Sequence, residues 1–305
     1  MKKSVLSLVS CLILISLESY GQFAKPMGSE KVFGSIKEAL IQPNQVTQLN
    51  LRDKKLFSLT DSFEQLTNLT FLNLMGNNFE TWHRALFQLP KLEILNVKGN
   101  HLPAFPVDIK NLKRLKTLDV AGNNFTNIGE PIGELKQLEY LYASVNQIVT
   151  VSSFIGFCKK LKVIDFENNQ ISHLPSSINK LKNLTELNLS FNQFKELEQS
   201  ICNLRSLQVL NLSFNQITKL TDDIGLLKNA RTINFASNKL DNISDKICLL
   251  ENVELLILSD NQLTKLPENI GNLTKLKTLL LNGNSFPNEE QIRIKSLLPN
   301  CTVIF

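Results

Sequence analysis

The chain has 305 residues, 43% of them hydrophobic and 20% charged, which is typical of a soluble globular protein. A formal charge of +5 is a mild basic excess. Nucleic-acid-binding proteins concentrate Lys and Arg more strongly, so the composition argues against a nucleic-acid partner.

The first 21 residues have the pattern of a secretory signal peptide. Lys2 and Lys3 precede the 13-residue apolar run Val5–Leu17, which is shorter than the roughly 20 residues of a membrane-spanning helix. Ser19 and Gly21 place small residues before a plausible cleavage site. We therefore expect residues 1–21 to direct export, with a buried N-terminal helix as the alternative interpretation.

The segment Leu8–Cys11 also resembles a bacterial lipoprotein cleavage box. The apolar run continues for six residues past Cys11, whereas the cysteine of such a box normally ends the run. Lipoprotein anchoring through Cys11 is thus a weaker hypothesis than release into the periplasm, onto the cell surface or into the medium.

After a short leader, the chain repeats every 23 residues without insertion or deletion, which is the pattern of a solenoid. The motif LNLSFNQ makes this visible, because it occurs at 187–193 and again at 210–216. Eleven units begin at Val46, Leu69, Leu92, Leu115, Leu138, Leu161, Leu184, Leu207, Ala230, Val253 and Leu276.

Each unit predicts one short strand and one return segment. Counting the first residue of a unit as position 0, apolar residues at positions 3 and 5 alternate as in a strand with one buried face. Apolar residues at positions 10, 13, 17 and 20, such as Ile171, Leu174, Ile178 and Leu181, are spaced for a turn of α or 3₁₀ helix. The predicted fold class is an α/β repeat solenoid, because units that cannot hold a core alone share one when stacked.

Position 8 is an asparagine in ten of the eleven units, and Lys54 replaces it in the first. An amide side chain carries both donors and an acceptor, so one per unit can satisfy the backbone that bends after each strand. We expect a structural role for this asparagine column, which consists of Asn77, Asn100, Asn123, Asn146, Asn169, Asn192, Asn215, Asn238, Asn261 and Asn284.

The two ends of the repeat array carry different sequences, as solenoid ends require. Ser35 and Glu38 form a capping-box pattern that predicts a helix within an N-terminal cap at 22–45. The repeats are expected to occupy 46–298. The last is atypical and ends in an amphipathic helix over Glu289–Leu298, followed by a closing strand within 299–305.

The segment Leu184–Phe194, LTELNLSFNQF, fits LxxLxLxxNxL and resembles the leucine-rich repeat. Leu263–Leu273 continues the pattern as LxxLPxxIxxL, which is similar to a 23-residue subtype found in bacterial, Shoc2-like and plant Ras-group-related proteins. The proline of that pattern is absent from most units. The resemblance implies a curved horseshoe with a parallel sheet on its concave face and helical or 3₁₀ return segments, and by analogy a module that binds other proteins.

The sequence offers no motif for catalysis, and no cofactor or metal is expected. Cys202 and Cys248 occupy equivalent positions two units apart, about 10 Å by strand spacing, which is beyond disulfide range. Phosphate-binding loops and nucleophile elbows are missing. We therefore predict free thiols and a protein that is not an enzyme.

Positions 2, 4 and 6 of each unit are predicted to face the concave side, where we expect a partner to bind. Tyr140 and Tyr142 stand out because tyrosine is enriched in binding hot spots. The complete set of predicted contact residues is Phe71, Ile94, Asp119, Tyr140, Tyr142, Asp165, Glu167, Glu186, Leu255, Ile257 and Leu280.

Asp119 and Asp165 raise the question of a catalytic carboxylate pair. Strand spacing puts them about 10 Å apart, slightly beyond the ~6.5–9.5 Å gap of inverting glycosidases. A flat open sheet is also not expected to provide the dry surroundings that raise a carboxyl pKa. We interpret the acids as part of a surface that holds a partner.

Three functions remain open from the sequence. The first is an exported, monomeric module that binds a protein or peptide on its concave face. The second is an envelope or adhesion protein that binds glycan, for which the basic stretch Lys110–Lys116 on a return segment is the cue. The third is an intracellular scaffold for a GTPase, kinase or phosphatase, which requires that residues 1–21 are not a signal.

Overall fold

A computed structural model describes Gly28 and residues 30–305. The N-terminal export pattern, Cys11 and the first part of the proposed cap lie outside these residues. Among residues 30–305, none of the helices is both long enough and apolar enough to cross a membrane.

Thirteen short strands form one parallel sheet, and neighbours in the sheet are neighbours in the repeat order. The strands are β1 Val32–Phe33, β2 Gln48–Asn50, β3 Phe71–Asn73, β4 Ile94–Asn96, β5 Thr117–Asp119, β7 Tyr140–Tyr142, β9 Val163–Asp165, β10 Glu186–Asn188, β11 Val209–Asn211, β12 Thr232–Asn234, β13 Leu255–Ile257, β14 Thr278–Leu280 and β15 Thr302–Ile304. A second sheet on the return side pairs β6 Asn127–Ile128 with β8 Thr150–Val151.

The 23-residue period sets the register of the main sheet. Leu187 lies beside Ile164 of the previous unit and Leu210 of the next, and the flanking residues pair in the same way. The middle residue of each repeat strand points into the core, where these three side chains are 0–1% exposed. Each unit buries its apolar residues against its neighbours, so the solenoid has one continuous core.

Most return segments are single 3₁₀ turns. They cover Pro43–Gln45, Asp61–Gln65, Arg84–Gln88, Val107–Asn111, Glu130–Glu134, Ser153–Phe157, Ser176–Lys180, Asp222–Leu226, Asp245–Leu249 and Ile270–Asn272. Among the described residues, three segments are α-helices: α1 Ile36–Ala39, α2 Gln199–Cys202 and α3 Asn288–Leu297. The predicted fold class, a leucine-rich repeat solenoid with a concave parallel sheet, is confirmed.

Both ends of the core are covered by helix and strand. At the start, the Ser35 hydroxyl accepts a 3.1 Å hydrogen bond from the backbone N–H of Glu38, and Ala39 is completely buried. Strand β1, which the repeat pattern did not indicate, pairs in parallel with β2. At the other end, α3 buries Ile294, and β15 pairs with β14.

Candidate functional site

The asparagine column lies at the bend where each strand ends. The Asn192 amide donates 2.8 Å and 3.2 Å hydrogen bonds to the carbonyl oxygens of Phe166 and Leu189, and its oxygen accepts from the N–H of Ile171 at 2.9 Å. The other nine asparagines repeat this pattern between their own unit and the unit before it. The column therefore fastens each repeat to the previous one.

Tyr140 and Tyr142 lie on β7, near the middle of the concave sheet. Tyr142 lies in register between Asp119 on β5 and Asp165 on β9, so one aromatic side chain separates two acids. Tyr140 lies beside Thr117 and Val163. The Lys162 ammonium is 5.9 Å from the Tyr140 ring centroid. The structure thus brings the predicted tyrosines and aspartates together in one patch.

This patch is more enclosed than the sequence indicated. Tyr142 and Asp165 are each only 4% exposed, and Asp119, Tyr140, Glu167 and Glu186 are half-buried. The remaining predicted contact residues, Phe71, Ile94, Leu255, Ile257 and Leu280, are buried. The concave face is thus more crowded than a flat open sheet, because residues at one position of successive strands lie close enough to pack on each other.

Burial changes the ionisation of the concave acids. It raises the pKa of Asp165 from 3.8 to about 6, against the hydrogen bond from the Glu167 N–H, and the nearby charges of Glu167 and Asp119 raise it further. Burial likewise raises the pKa of Asp119 to about 6, and it also raises the pKa of Glu186. The expectation that an open sheet leaves these carboxyl groups unperturbed was therefore wrong.

Glu167 belongs to the same patch through a direct contact. Its carboxylate accepts a 3.1 Å hydrogen bond from the Asn188 amide, and the Asp165 carboxylate accepts one from its N–H at the same distance. The patch can therefore offer negative charge, hydrogen-bond acceptors and aromatic surface together. Two carboxyl groups separated by a tyrosine do not resemble an assembled acid–base pair.

A second group of predicted contact residues lies at the C-terminal end of the concave sheet. Leu255, Ile257 and Leu280 form a small apolar cluster of their own, and Ala236 and Ile304 pack against it. This cluster extends onto the closing strand β15. At the N-terminal end, Phe71 and Ile94 lie side by side on β3 and β4. The predicted residues thus form three separate groups along the sheet.

Sequence reasoning missed the residue at position 7 of each unit, which lies in the turn after the strand. Val145, Phe191 and Phe214 occupy this position with φ of 54–55°, in the left-handed region that L-residues rarely adopt. All three are exposed, by 45–55%. Glycine occupies the equivalent positions Gly76, Gly99, Gly122 and Gly283. The signal was present in the sequence, since both copies of LNLSFNQ carry phenylalanine here.

The structure describes four cysteines, none of which forms a disulfide with another of the four. Cys158, Cys202 and Cys248 are buried and Cys301 is half-buried, all as free thiols. Within the described part of the chain, no three His, Cys, Asp or Glu side chains are placed to hold a metal ion.

The geometry defines a class of protein: a parallel β-solenoid in which an asparagine column joins short repeats. Models of the leucine-rich repeat match residues 149–194, 160–217, 182–240 and 252–273. This chain is a leucine-rich repeat protein. No curated protein sequence matches it.

Solved structures show the same architecture. An internalin, inlF, from Listeria monocytogenes is 21% identical, with a TM-score of 0.76, and the match covers 90% of this chain and 78% of the internalin. The functional domain of InlJ from the same species is 27% identical, with a TM-score of 0.69 and coverage of 81% and 51%.

A plant receptor has the same fold. The ectodomain of the membrane receptor kinase GASSHO1/SCHENGEN3 from Arabidopsis thaliana is 28% identical, with a TM-score of 0.63. The match covers 83% of this chain and 34% of the ectodomain. The chain therefore spans about half of the InlJ functional domain and about a third of the plant ectodomain.

Proposed function

We propose that this protein acts outside the cell as a non-catalytic module that binds a protein or peptide on its concave face. The leucine-rich repeat fold itself indicates a protein–protein interaction module. Export is supported by the N-terminal pattern of residues 1–21 and by the resemblance to the plant ectodomain, which was solved in complex with CASPARIAN STRIP INTEGRITY FACTOR 2.

One observation carries the proposal: Tyr140 and Tyr142 lie among Asp119, Asp165 and Glu167 near the middle of the concave sheet. Tyrosine offers a large contact area with a polar tip, and few rotatable bonds are lost when it becomes ordered. Acidic side chains around it favour a partner segment that carries Lys or Arg. Tyr140, which is half-buried, is the member of the pair that is accessible to such a segment.

The test is quantitative affinity capture from an envelope extract, followed by mass spectrometry. The wild-type protein is compared with Tyr140→Ala and with Phe57→Ala, a control that removes an aromatic residue that is 72% exposed and outside the concave sheet. We expect Tyr140→Ala to lose specific partners that the wild type and the control both retain. Equal recovery by all three proteins would reject the tyrosine patch as the binding surface.

Export has an independent test. N-terminal sequencing of the native protein should begin near Gln22 if residues 1–21 are removed on secretion. Recovery of intact Met1 from the cytoplasmic fraction would instead favour the intracellular scaffold.

A further inference from the structure

A second surface lies on the edge of the solenoid at which the strands begin. It is formed by the residues that stand two places before the first residue of each unit. Six consecutive units place a basic residue there, at regular intervals of 23 residues. This basic row consists of Lys113, Lys136, Lys159, Lys182, Arg205 and Lys228. The equivalent residues in the flanking units are Thr67, Pro90, Glu251 and Thr274, so the row has defined ends.

All six side chains are exposed. Five steps of the ~4.8 Å strand spacing give the row a length of roughly 24 Å. Two members of the row contact backbone carbonyl groups of the next return segment. The Lys159 ammonium lies 3.5 Å from the Lys180 carbonyl oxygen, and the Arg205 guanidinium donates to the Leu226 carbonyl oxygen at 3.3 Å.

The positive charge of the row is mostly uncompensated. Lys113 and Lys228, at the two ends, form long ion pairs of 3.8 Å with Glu134 and 4.0 Å with Glu251. The four basic residues between them form no ion pair with any other residue that the structure describes.

More cations extend the surface on either side of the row, at Lys110, Arg114, Lys160 and Lys180. Desolvation lowers the pKa of Lys159, and the positive charges of Lys180 and Lys182 lower it further. This repulsion between like charges disfavours the row when it is empty. A ligand with regularly spaced negative charges would relieve that repulsion.

We propose that the basic row binds a linear acidic polysaccharide that carries one carboxylate per sugar ring, that is, a polyuronate. The backbone spacing between neighbouring members of the row, about 4.8 Å, is of the order of the length of one sugar ring in an extended chain. Lys supplies five of the six cations, and an ammonium group attracts a carboxylate without demanding the planar two-point geometry that Arg favours.

Nucleic acid fits the row less well. Along the axis of a DNA duplex each strand carries a phosphate every ~3.4 Å and winds away from a straight row, so its phosphates do not match the row in register. Binding of single strands relies on bases that stack on open aromatic faces. The aromatic residue beside the row is Phe157, and the Lys136 ammonium lies 4.7 Å from the centroid of its ring. That contact occupies one face of the ring.

The test compares a triple variant of the row, Lys136→Gln, Lys159→Gln and Lys182→Gln, with a matched variant, Lys195→Gln, Lys219→Gln and Lys239→Gln. Both variants lose three positive charges from exposed positions, and only the first changes the row. Binding to sodium polygalacturonate is measured by calorimetry at two salt concentrations. Methyl-esterified polygalacturonate, an oligothymidylate and vesicles containing phosphatidylglycerol serve as competing probes.

We expect the wild type and the matched variant to bind polygalacturonate with similar affinity, and the row variant to bind at least about tenfold more weakly with a shallower salt dependence. The esterified polymer should not bind. A third variant with Arg at the three row positions should restore binding, which separates loss of charge from misfolding.

Three results would overturn the proposal. The first is failure of the wild type to bind polygalacturonate. The second is equal weakening in both Gln variants. The third is binding of the oligothymidylate or the vesicles as tightly as polygalacturonate. The concave tyrosine patch is intact in every variant, so this test is independent of the proposed protein-binding function.

Discussion

Phe191 and Phe214 stack face to face across neighbouring repeats, with ring centroids 4.1 Å apart and an angle of 8° between the ring planes. Both residues hold a φ of 54–55°, a conformation that favours glycine. Stacking of this kind offsets part of the backbone strain at the position. Two repeats before Phe191, the same turn carries Val145, which takes part in no such stack and is β-branched.

Val145→Gly should therefore stabilise the protein. Glycine adopts φ near +55° without the clash that a β-branched side chain suffers, and the release of strain is worth about 1 kcal/mol. Little burial is lost, because Val145 is 55% exposed. Chemical denaturation monitored by circular dichroism measures the change in the free energy of unfolding.

Val149→Gly is the matched control, since Val149 is also exposed, at 46%, but has no positive φ. It should destabilise the fold slightly, because glycine has more conformational freedom to lose on folding. If both substitutions lower the free energy of unfolding by the same amount, the backbone at Val145 is not strained.

Asn192→Ala should destabilise the protein by about 3 kcal/mol, since buried backbone groups lose their only side-chain partner. The carbonyl oxygen of Phe166 and the N–H of Ile171 would both lose a hydrogen bond across the boundary between repeats. Urea titration of the two proteins gives the difference.

Asn229→Ala provides the comparison for that prediction. The Asn229 amide makes an exposed 2.8 Å hydrogen bond to the Arg205 carbonyl oxygen, so its loss should change stability by at most about 0.5 kcal/mol. Similar effects of the two substitutions would mean that the asparagine column does not hold the repeats together.

The repeat architecture could be predicted because one pattern specifies each unit many times over. The period of 23 residues fixes the register: Leu187 and Leu210 occupy equivalent positions, and they pair in the sheet. The asparagine at position 8 likewise indicated the sharp bend after each strand. Every unit carries these local signals, so agreement between units offsets individual departures such as Lys54.

Features that depend on contacts outside one unit could not be predicted in the same way. Strand β1 has only two residues and no repeat pattern, so its pairing with β2 had no signal in the sequence. The burial of Tyr142 depends on how side chains of successive strands crowd together on a curved sheet. The period gives the direction of each side chain, but not how much solvent reaches it.

The raised carboxyl pKa values lead to a prediction about pH. In the folded state Asp165 has a pKa of about 6 instead of 3.8, so the native protein binds more protons than the unfolded chain between these values. The free energy of unfolding therefore falls as pH rises through this interval, and the penalty is complete above pH 6. The difference between the folded and unfolded pKa of Asp165 lowers the free energy of unfolding by at most about 3 kcal/mol.

Asp165→Asn should remove this penalty, because asparagine cannot ionise but still offers an oxygen to the Glu167 N–H. We expect the variant to melt at a higher temperature than the wild type above pH 6, and the advantage to disappear below pH 3.8. Thermal melts over this pH range give the difference in melting temperature between the two proteins. Other groups titrate alike in both proteins, so their effects cancel in that difference. A constant advantage at every pH would contradict a buried, titrating Asp165.

The thiols allow a last prediction, on reactivity. Burial raises the pKa of Cys158 and Cys202 to about 12, and that of Cys248 and Cys301 to about 11, so almost no thiolate is present near neutral pH. Because the thiolate is the nucleophile, a disulfide reagent should label these four residues slowly in the native protein and rapidly after unfolding in guanidinium.

Mass spectrometry of digested samples assigns the label to each cysteine. Cys301, which is half-buried near the C-terminus, should react first, and Cys158, which is completely buried in the core, should react last. Fast native labelling of Cys158 would show that the repeats around it open far more readily than a continuous core allows.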